Sequence, residues 1–246
     1  MSNKKSHLAY FNEDKLNELL KQVEAVIFDM DGLIVDNESL QLSATNRALS
    51  TYRFKINEDY WIRKCVGKRS KEFFQEIIEE NSISLKESLE ELVERKNSYY
   101  REYIENEVEN IVRPGVKQFI QFLRENSYSL ALATSAGKIE TEAVIGKEGL
   151  GIEDKFQVIV TGEEVQKPKP DPEIYNKVVR KLKTSPEVCL VLEDTAIGVE
   201  AAKSARMKVI AVPNRFTLTQ DFSRANLVIT DLTEEAKIIK KEKISP

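Results

Sequence analysis

The chain has 246 residues, 41% of them hydrophobic, enough for one large domain, or a domain carrying a smaller one, around a sizeable core. Its 37 basic and 41 acidic side chains leave a net charge of -4, which disfavours a basic nucleic-acid surface and gives no attraction to anionic membranes. No apolar run reaches the length needed to span a bilayer, and the only histidine, His7, stands near the N-terminus, against a His-based zinc site or a Ser-His-Asp triad.

An amphipathic helix is predicted around Asp14 to Val23, inside an N-terminal extension over residues 1–23. The apolar strand "AVIF" (Ala25 to Phe28) follows and ends in "DMDG". Side chains alternate along a strand, so Asp29 and Asp31 are expected to project the same way. Two like charges held that close repel unless one takes a proton or a cation sits between them. The stretch therefore reads as a site, against the alternative of a tight turn with solvated carboxylates.

Helical patterns then run through "ESLQLSATNRALSTY", "SKEFFQEIIEEN" and "SLKESLEELVERKNSYYREYIENEVEN", so residues 37–111 are predicted to form an all-helical cap. In the last of these, Leu85, Leu89, Leu92, Lys96, Tyr99 and Tyr103 follow helical spacing and place Lys96 in an apolar stripe. A lysine there commonly snorkels to solvent. Trp61 is either core of the cap or a wall facing a substrate.

After "VRPGV" (Val112 to Val116) the rhythm changes. Short apolar runs, "SLALAT", "FQVIV", "VCLVL", "KVIAV" and "LVIT", alternate with helical segments such as "PEIYNKVVRKL" and "AIGVEAAKSA". The alternation predicts an α/β fold, a doubly wound parallel sheet built from residues 24–36 and 112–246 with the helical cap inserted. Cys65 and Cys189 are far apart, and Cys189 in its apolar run is expected to be a buried, reduced thiol, which suits a cytoplasmic protein.

Open parallel sheets bind ligands at the carboxyl ends of their strands. There the chain places Asp29 and Asp31 after "AVIF", Thr134 and Ser135 after "LALA", Glu193 and Asp194 after "VCLVL", and the segment "QKPKPDPEIY" after "FQVIVTGEEV". Taken singly, Thr134, Ser135 and Asp194 are ordinary helix starts, and "KPKPDP" is an ordinary extended connection. Together, several carboxylates can hold Mg²⁺, a lysine and a hydroxyl suit phosphate oxygens, and a carboxylate can attack phosphorus.

In order and spacing these motifs resemble the haloacid dehalogenase superfamily, from about Glu24 to about Asp231, and the insertion resembles the helical cap of its beta-phosphoglucomutase-like branch. The resemblance implies a Rossmann-like core. It makes Asp29 the nucleophile, Asp31 the general acid/base, and Thr134 the hydroxyl that binds the phosphoryl group, with the backbone N–H of Ser135 beside it. Asp29, the backbone carbonyl of Asp31, Glu193 and Asp194 would hold Mg²⁺. The family pattern Lys-Pro-x-Pro-(Asp/Glu)-Ile-(Phe/Tyr) fits "KPDPEIY" from Lys169, whereas Lys167 satisfies only "KPKPD", so Lys169 is the expected catalytic lysine. Pro168 stands where relatives commonly have glycine.

"RKN" (Arg95 to Asn97) matches a cap segment whose lysine reaches the active site in the mutases, which raises the standing of Lys96. Arg69 is a candidate for a second anionic group on the substrate, one position away from the mutase arginine, or a solvated surface charge. Gln41 occupies the position of a mutase histidine and Asn37 that of a mutase threonine, which favours hydrolysis over phosphosugar transfer. The resulting expectation is a Mg²⁺-dependent phosphatase of a small phosphorylated metabolite, a sugar phosphate or similar, working through an aspartyl-phosphate as a monomer or weak dimer. A phosphosugar mutase is the alternative. A non-catalytic binding or regulatory protein is the alternative of another class, disfavoured by the complete acidic set.

Overall fold

The computed structural model describes residues 10–239; His7 and the first nine residues of the N-terminal extension lie outside the described residues. Six strands form one sheet: β1 (Ala25–Phe28), β2 (Ser129–Ala133), β3 (Val158–Val160), β4 (Cys189–Glu193), β5 (Lys208–Ala211) and β6 (Leu227–Val228). Their order is β3-β2-β1-β4-β5-β6, and every pairing is parallel. This is the doubly wound α/β sheet that the alternating apolar runs predict.

Alternation along the strands divides the core in two. Val26, Phe28, Leu130 and Leu132 enter one buried cluster and Ala25, Ile27, Ala131 and Ala133 another, so both faces of the sheet are covered. The helices that cover them are α6 (Val116–Glu125), α7 (Lys138–Ile145), α8 (Glu173–Leu182) and α9 (Ala196–Ser204). Helix α1 (Asp14–Lys21) also packs on this body through buried Leu16 and Leu20. The segment before it is tied down as well, with Tyr10 Oη donating to the Leu232 carbonyl at 3.1 Å.

Between β1 and β2 stand α2 (Glu38–Leu49), α3 (Glu58–Lys64), α4 (Ser70–Glu80) and α5 (Leu89–Glu107). The sequence patterns foresee three of these. Helix α3 is short, started by Asn57, whose side chain accepts from the Tyr60 N–H at 2.8 Å. These helices carry a hydrophobic cluster of their own that includes Leu49, Trp61, Phe73, Phe74 and Leu92, and Phe216 from the loop after β5 joins it. The stripe of α5 that is actually buried runs Leu92, Lys96, Tyr100, Ile104, while Tyr99 and Tyr103 pack at its edge. The two diverge because the predicted stripe, stepping by four and three, keeps to one face of the helix, whereas the buried row steps by four throughout and winds about 40° further round at each step.

Candidate active site

The carboxyl edge of the sheet forms the floor of a cavity of about 310 Å³, roofed by α2, α4 and α5. Asp29, Asp31, Ser135, Lys169 and Asp194 line it from the core, and Gln41, Arg69 and Lys96 from the helical side. Of the residues singled out in the sequence, Thr134 and Glu193 are fully buried and lie outside the cavity lining.

The centre is a buried ionic bridge. Lys169 Nζ lies 2.5 Å from Asp29 Oδ1 and 2.6 Å from Glu193 Oε1, and donates to the Ala133 carbonyl at 3.3 Å. Lys167, by contrast, is a surface side chain with Asp171 at 3.7 Å. The structure thus brings Lys169, and not Lys167, to the carboxylates. Glu193 also accepts from protein donors: Tyr175 Oη reaches Oε1 at 2.6 Å and Thr195 Oγ1 reaches Oε2 at 3.1 Å. Burial acts against the charge of Lys169, yet Asp29 and Glu193 raise its pKa well above the ordinary range.

Asp194 Oδ2 accepts from Asn214 Nδ2 at 2.8 Å, while Asp194 Oδ1 is buried with no hydrogen-bond partner among the described residues. A buried carboxylate oxygen without a partner carries the full cost of desolvation. Burial, with Asp29 and Glu193 nearby, pushes Asp194 well above the usual carboxylate range and lifts Asp29 to about 8 against the pull of Lys169. Ligand oxygens of Asp29, Glu193 and Asp194 lie within 4.8 Å of one another. An all-carboxylate set with one oxygen unpartnered fits a hard divalent cation.

Asp31 faces elsewhere. Its Oδ1 accepts from Asn37 Nδ2 at 2.5 Å, and its carboxylate is not among those three. Burial raises its pKa, while the Asn37 donor, Lys96 and Lys169 act the other way. Gly32, at φ +78°, makes the turn that follows; a Cβ there would stand 2.1 Å from Asp194 Oδ2, so the position admits only glycine. Two residues lock this turn to the loop after β5. Asn214 Nδ2 donates to the Gly32 carbonyl at 3.2 Å, and Arg113 Nη1 to the carbonyls of Gly32 and Val212, both at 2.7 Å. Thr134 Oγ1 accepts from the Ala136 N–H at 3.0 Å, fixing the loop that presents Ser135 to the cavity.

The helical side supplies charge. Lys96 does not snorkel: it is 3% exposed, its Nζ donates to Ser70 Oγ at 3.2 Å, and burial lowers its pKa to about 8 although Glu140, Asp31 and Glu38 pull it up. Trp61 serves both roles left open by the sequence, packing edge-on against Phe73 at 5.2 Å while lining the cavity. Its indole N–H donates to Glu38 Oε2 at 2.7 Å. Arg69 directs Nη2 at the Val165 carbonyl, 3.4 Å away, and Gln41 Oε1 is buried without a partner.

Sequence reasoning passes over Glu38, Tyr100, Arg113, Glu140, Tyr175 and Asn214 as parts of the site, and weighs Asn37 only as a departure from the mutase threonine. Asn214 carries a usable signal, since it follows β5 at the same edge of the sheet. Tyr175 stands inside the "KPDPEIY" segment. The others arrive through tertiary packing and leave no spacing to read.

A family model for haloacid dehalogenase-like hydrolases matches residues 26–212. The chain belongs to that family. Among the relatives of this haloacid dehalogenase-like hydrolase is the phosphorylated carbohydrates phosphatase of Thermotoga maritima, 36% identical over 188 residues, which are 76% of this chain and 84% of that protein. Hexitol phosphatase B of Escherichia coli O157:H7 is 28% identical over 218 residues, 87% of this chain and 95% of that protein. The crystal structure of beta-phosphoglucomutase from Clostridium difficile superposes with a TM-score of 0.75 at 26% identity, covering 86% of this chain and 92% of the other. No helix among the described residues of this hydrolase is long and apolar enough to cross a membrane.

Proposed function

We propose that the chain is a Mg²⁺-dependent phosphatase that hydrolyses a phosphorylated sugar or similar small metabolite through an aspartyl-phosphate on Asp29. The observation that carries this reading is the buried bridge of Lys169 between Asp29 and Glu193 at the floor of the cavity. It holds one carboxylate oxygen in place and leaves the carboxylate beside a cation, as an attack on phosphorus requires. Relatives named as phosphatases of phosphorylated carbohydrates and hexitols support the substrate class.

In the first step an Asp29 oxygen forms a bond to phosphorus as the ester P–O bond breaks, and the leaving oxygen takes the proton of Asp31. In the second, water attacks the same phosphorus, Asp31 takes a proton from that water, and the Asp29–phosphorus bond breaks to release phosphate. Lys169 offsets negative charge on Asp29 and on the transferring group throughout. The backbone N–H of Ser135, in the loop held by Thr134, is suited to donate to phosphoryl oxygens. Asp29, Glu193, Asp194 and the backbone carbonyl of Asp31 would hold Mg²⁺, which when bound neutralises phosphoryl charge. Tyr175 and Thr195 keep Glu193 oriented toward Lys169.

Phosphate release from a panel of sugar phosphates, nucleotides and phosphoglycolate, with and without Mg²⁺, tests the reading. Metal-dependent release that is lost in Asp29→Asn is expected; release that survives in Asp29→Asn overturns the nucleophile. The second reading, a phosphosugar mutase, is favoured by the inward placement of Lys96. Interconversion of beta-glucose 1-phosphate and glucose 6-phosphate without net phosphate release would establish it.

A further inference from the structure

The helical half of the cavity has a charge balance of its own, separate from the catalytic centre. Lys68 and Lys71 line it, but each is already paired, with Glu76 at 2.6 Å and Glu90 at 2.6 Å respectively. What remains is Lys96 and Arg69 against Glu140 and Glu163, because the Glu38 carboxyl accepts from the Trp61 indole N–H and burial favours its neutral form. Glu140, on α7, is 6% exposed and lines the cavity as Lys96 does; Arg101 Nη1 forms an ion pair with its Oε1 at 4.0 Å, too long for a hydrogen bond, so both oxygens stay open to a donor from the substrate. Oxygens of Glu140 and Glu163 converge over Gly137, where a Cβ would lie 2.5 Å from each, directly beside the loop of Ser135. Gln41 Oε1 adds a buried acceptor without a donor.

We infer that the leaving group this cavity accepts is a neutral, polyhydroxylated chain or ring of about pentose to hexose size with no second phosphate, and that Glu140 enforces this choice. The inference deepens the phosphatase reading and rests on it. Hydroxyl groups are both donors and acceptors, so they satisfy the oxygens of Glu140 and Gln41 and accept from Lys96. A second phosphate can do only the latter and would bring like charge against Glu140 and Glu163 in a partly desolvated space. The volume of about 310 Å³ lies at the low end for ligand pockets, which suits such a leaving group.

The test compares kcat/KM of the full chain, with magnesium, for hexitol and hexose 6-phosphates against hexose 1,6-bisphosphate. A preference of about tenfold or more for the monophosphates is expected. In Glu140→Gln that preference narrows by about threefold or more. Equal or better turnover of the bisphosphate overturns the inference, and so does a ratio left unchanged in Glu140→Gln. If neither these esters nor p-nitrophenyl phosphate release phosphate, the phosphatase reading falls, and the inference is decided by calorimetry on Asp29→Asn. There, tighter binding of the monophosphates supports it, and equal or weaker binding refutes it.

Discussion

Asn37 Nδ2 lies 2.5 Å from Asp31 Oδ1 and 2.5 Å from Tyr100 Oη, so one buried amide joins the proposed acid/base to the longest helix over the cavity. Asn37 is the residue at which the chain leaves the sheet for α2. The position of α5 and the orientation of Asp31 are therefore set together. Asn37→Ala removes the donor that favours ionised Asp31, so the pKa of Asp31 rises. The limb of the pH–rate profile that it governs is expected to move upward, with kcat reduced by about tenfold or more. Tyr100→Phe should reduce kcat less and leave that limb near its wild-type position. A profile unchanged in Asn37→Ala would rule out this positioning role.

Lys169→Ala is expected to lower phosphate release by about 10²-fold or more. It also leaves Asp29 and Glu193 buried without their cation, at a cost of about 3–5 kcal/mol in unfolding free energy. Lys167→Ala, at an exposed side chain, is expected to stay near wild type in both measurements. Urea unfolding and phosphate release, taken on both variants, check the choice; inactivation by the Lys167 substitution alone would reverse it.

Glu38 is lifted to about 7 by burial, against the Trp61 indole N–H that favours its ionised form. The folded protein keeps this proton over a range where an unfolded glutamic acid, ordinarily at 4.5, has lost it. The stability it contributes is fully present below pH 4.5 and is lost as pH rises through about 7. Trp61 is the only tryptophan, so its emission reports on this carboxyl group directly. A fluorescence transition with a midpoint near pH 7 is expected in the wild type and absent in Glu38→Gln. Flat emission across neutral pH would contradict the assignment.

Asp194 Oδ1 has no hydrogen-bond partner among the described residues, so Mg²⁺ is expected to raise the melting temperature before any substrate is added. The gain is about 2.7 kcal/mol when free metal is at 100 times its dissociation constant. Asp194→Asn, read by the same melting curves, should lose most of this response. A full Mg²⁺ response in that variant would place the metal elsewhere.

How much of this could be read from residues alone differs between the two halves of the chain. The sheet was legible because its strands are buried on both faces, so each is a continuous apolar run set between helices, as in "AVIF" and "VCLVL". Asp29, Thr134, Glu193 and Asp194 were legible because each stands at the end of a strand, where topology alone brings them to one edge. The helical side was harder. Tyr99, Tyr100 and Tyr103 are equivalent by composition, and only the packing of α5 against α2 decides that Tyr100 turns toward Asn37. Glu38 and Glu140 read as ordinary charges at helix starts. Their burial comes from what packs on them, Trp61 in one case and the face of α5 in the other.

Strand β1 is first in the sheet by sequence and central in it by position: Ala25 pairs with Ser129 on one side and with Cys189 on the other. Both neighbours come later in the chain, as does Lys169. During synthesis on the ribosome, the aspartates at the end of β1 are made long before the lysine that compensates them. Burying Asp29 at that stage would desolvate a carboxylate without a counter-ion, so early closure around it is penalised. The innermost strand must wait for the last third of the chain, and the long-range pairing this demands marks the protein for slow, cooperative assembly. A chain that stops before Lys169 therefore lacks both the counter-charge and one wall of its central strand, and is a candidate for chaperone retention until synthesis is complete.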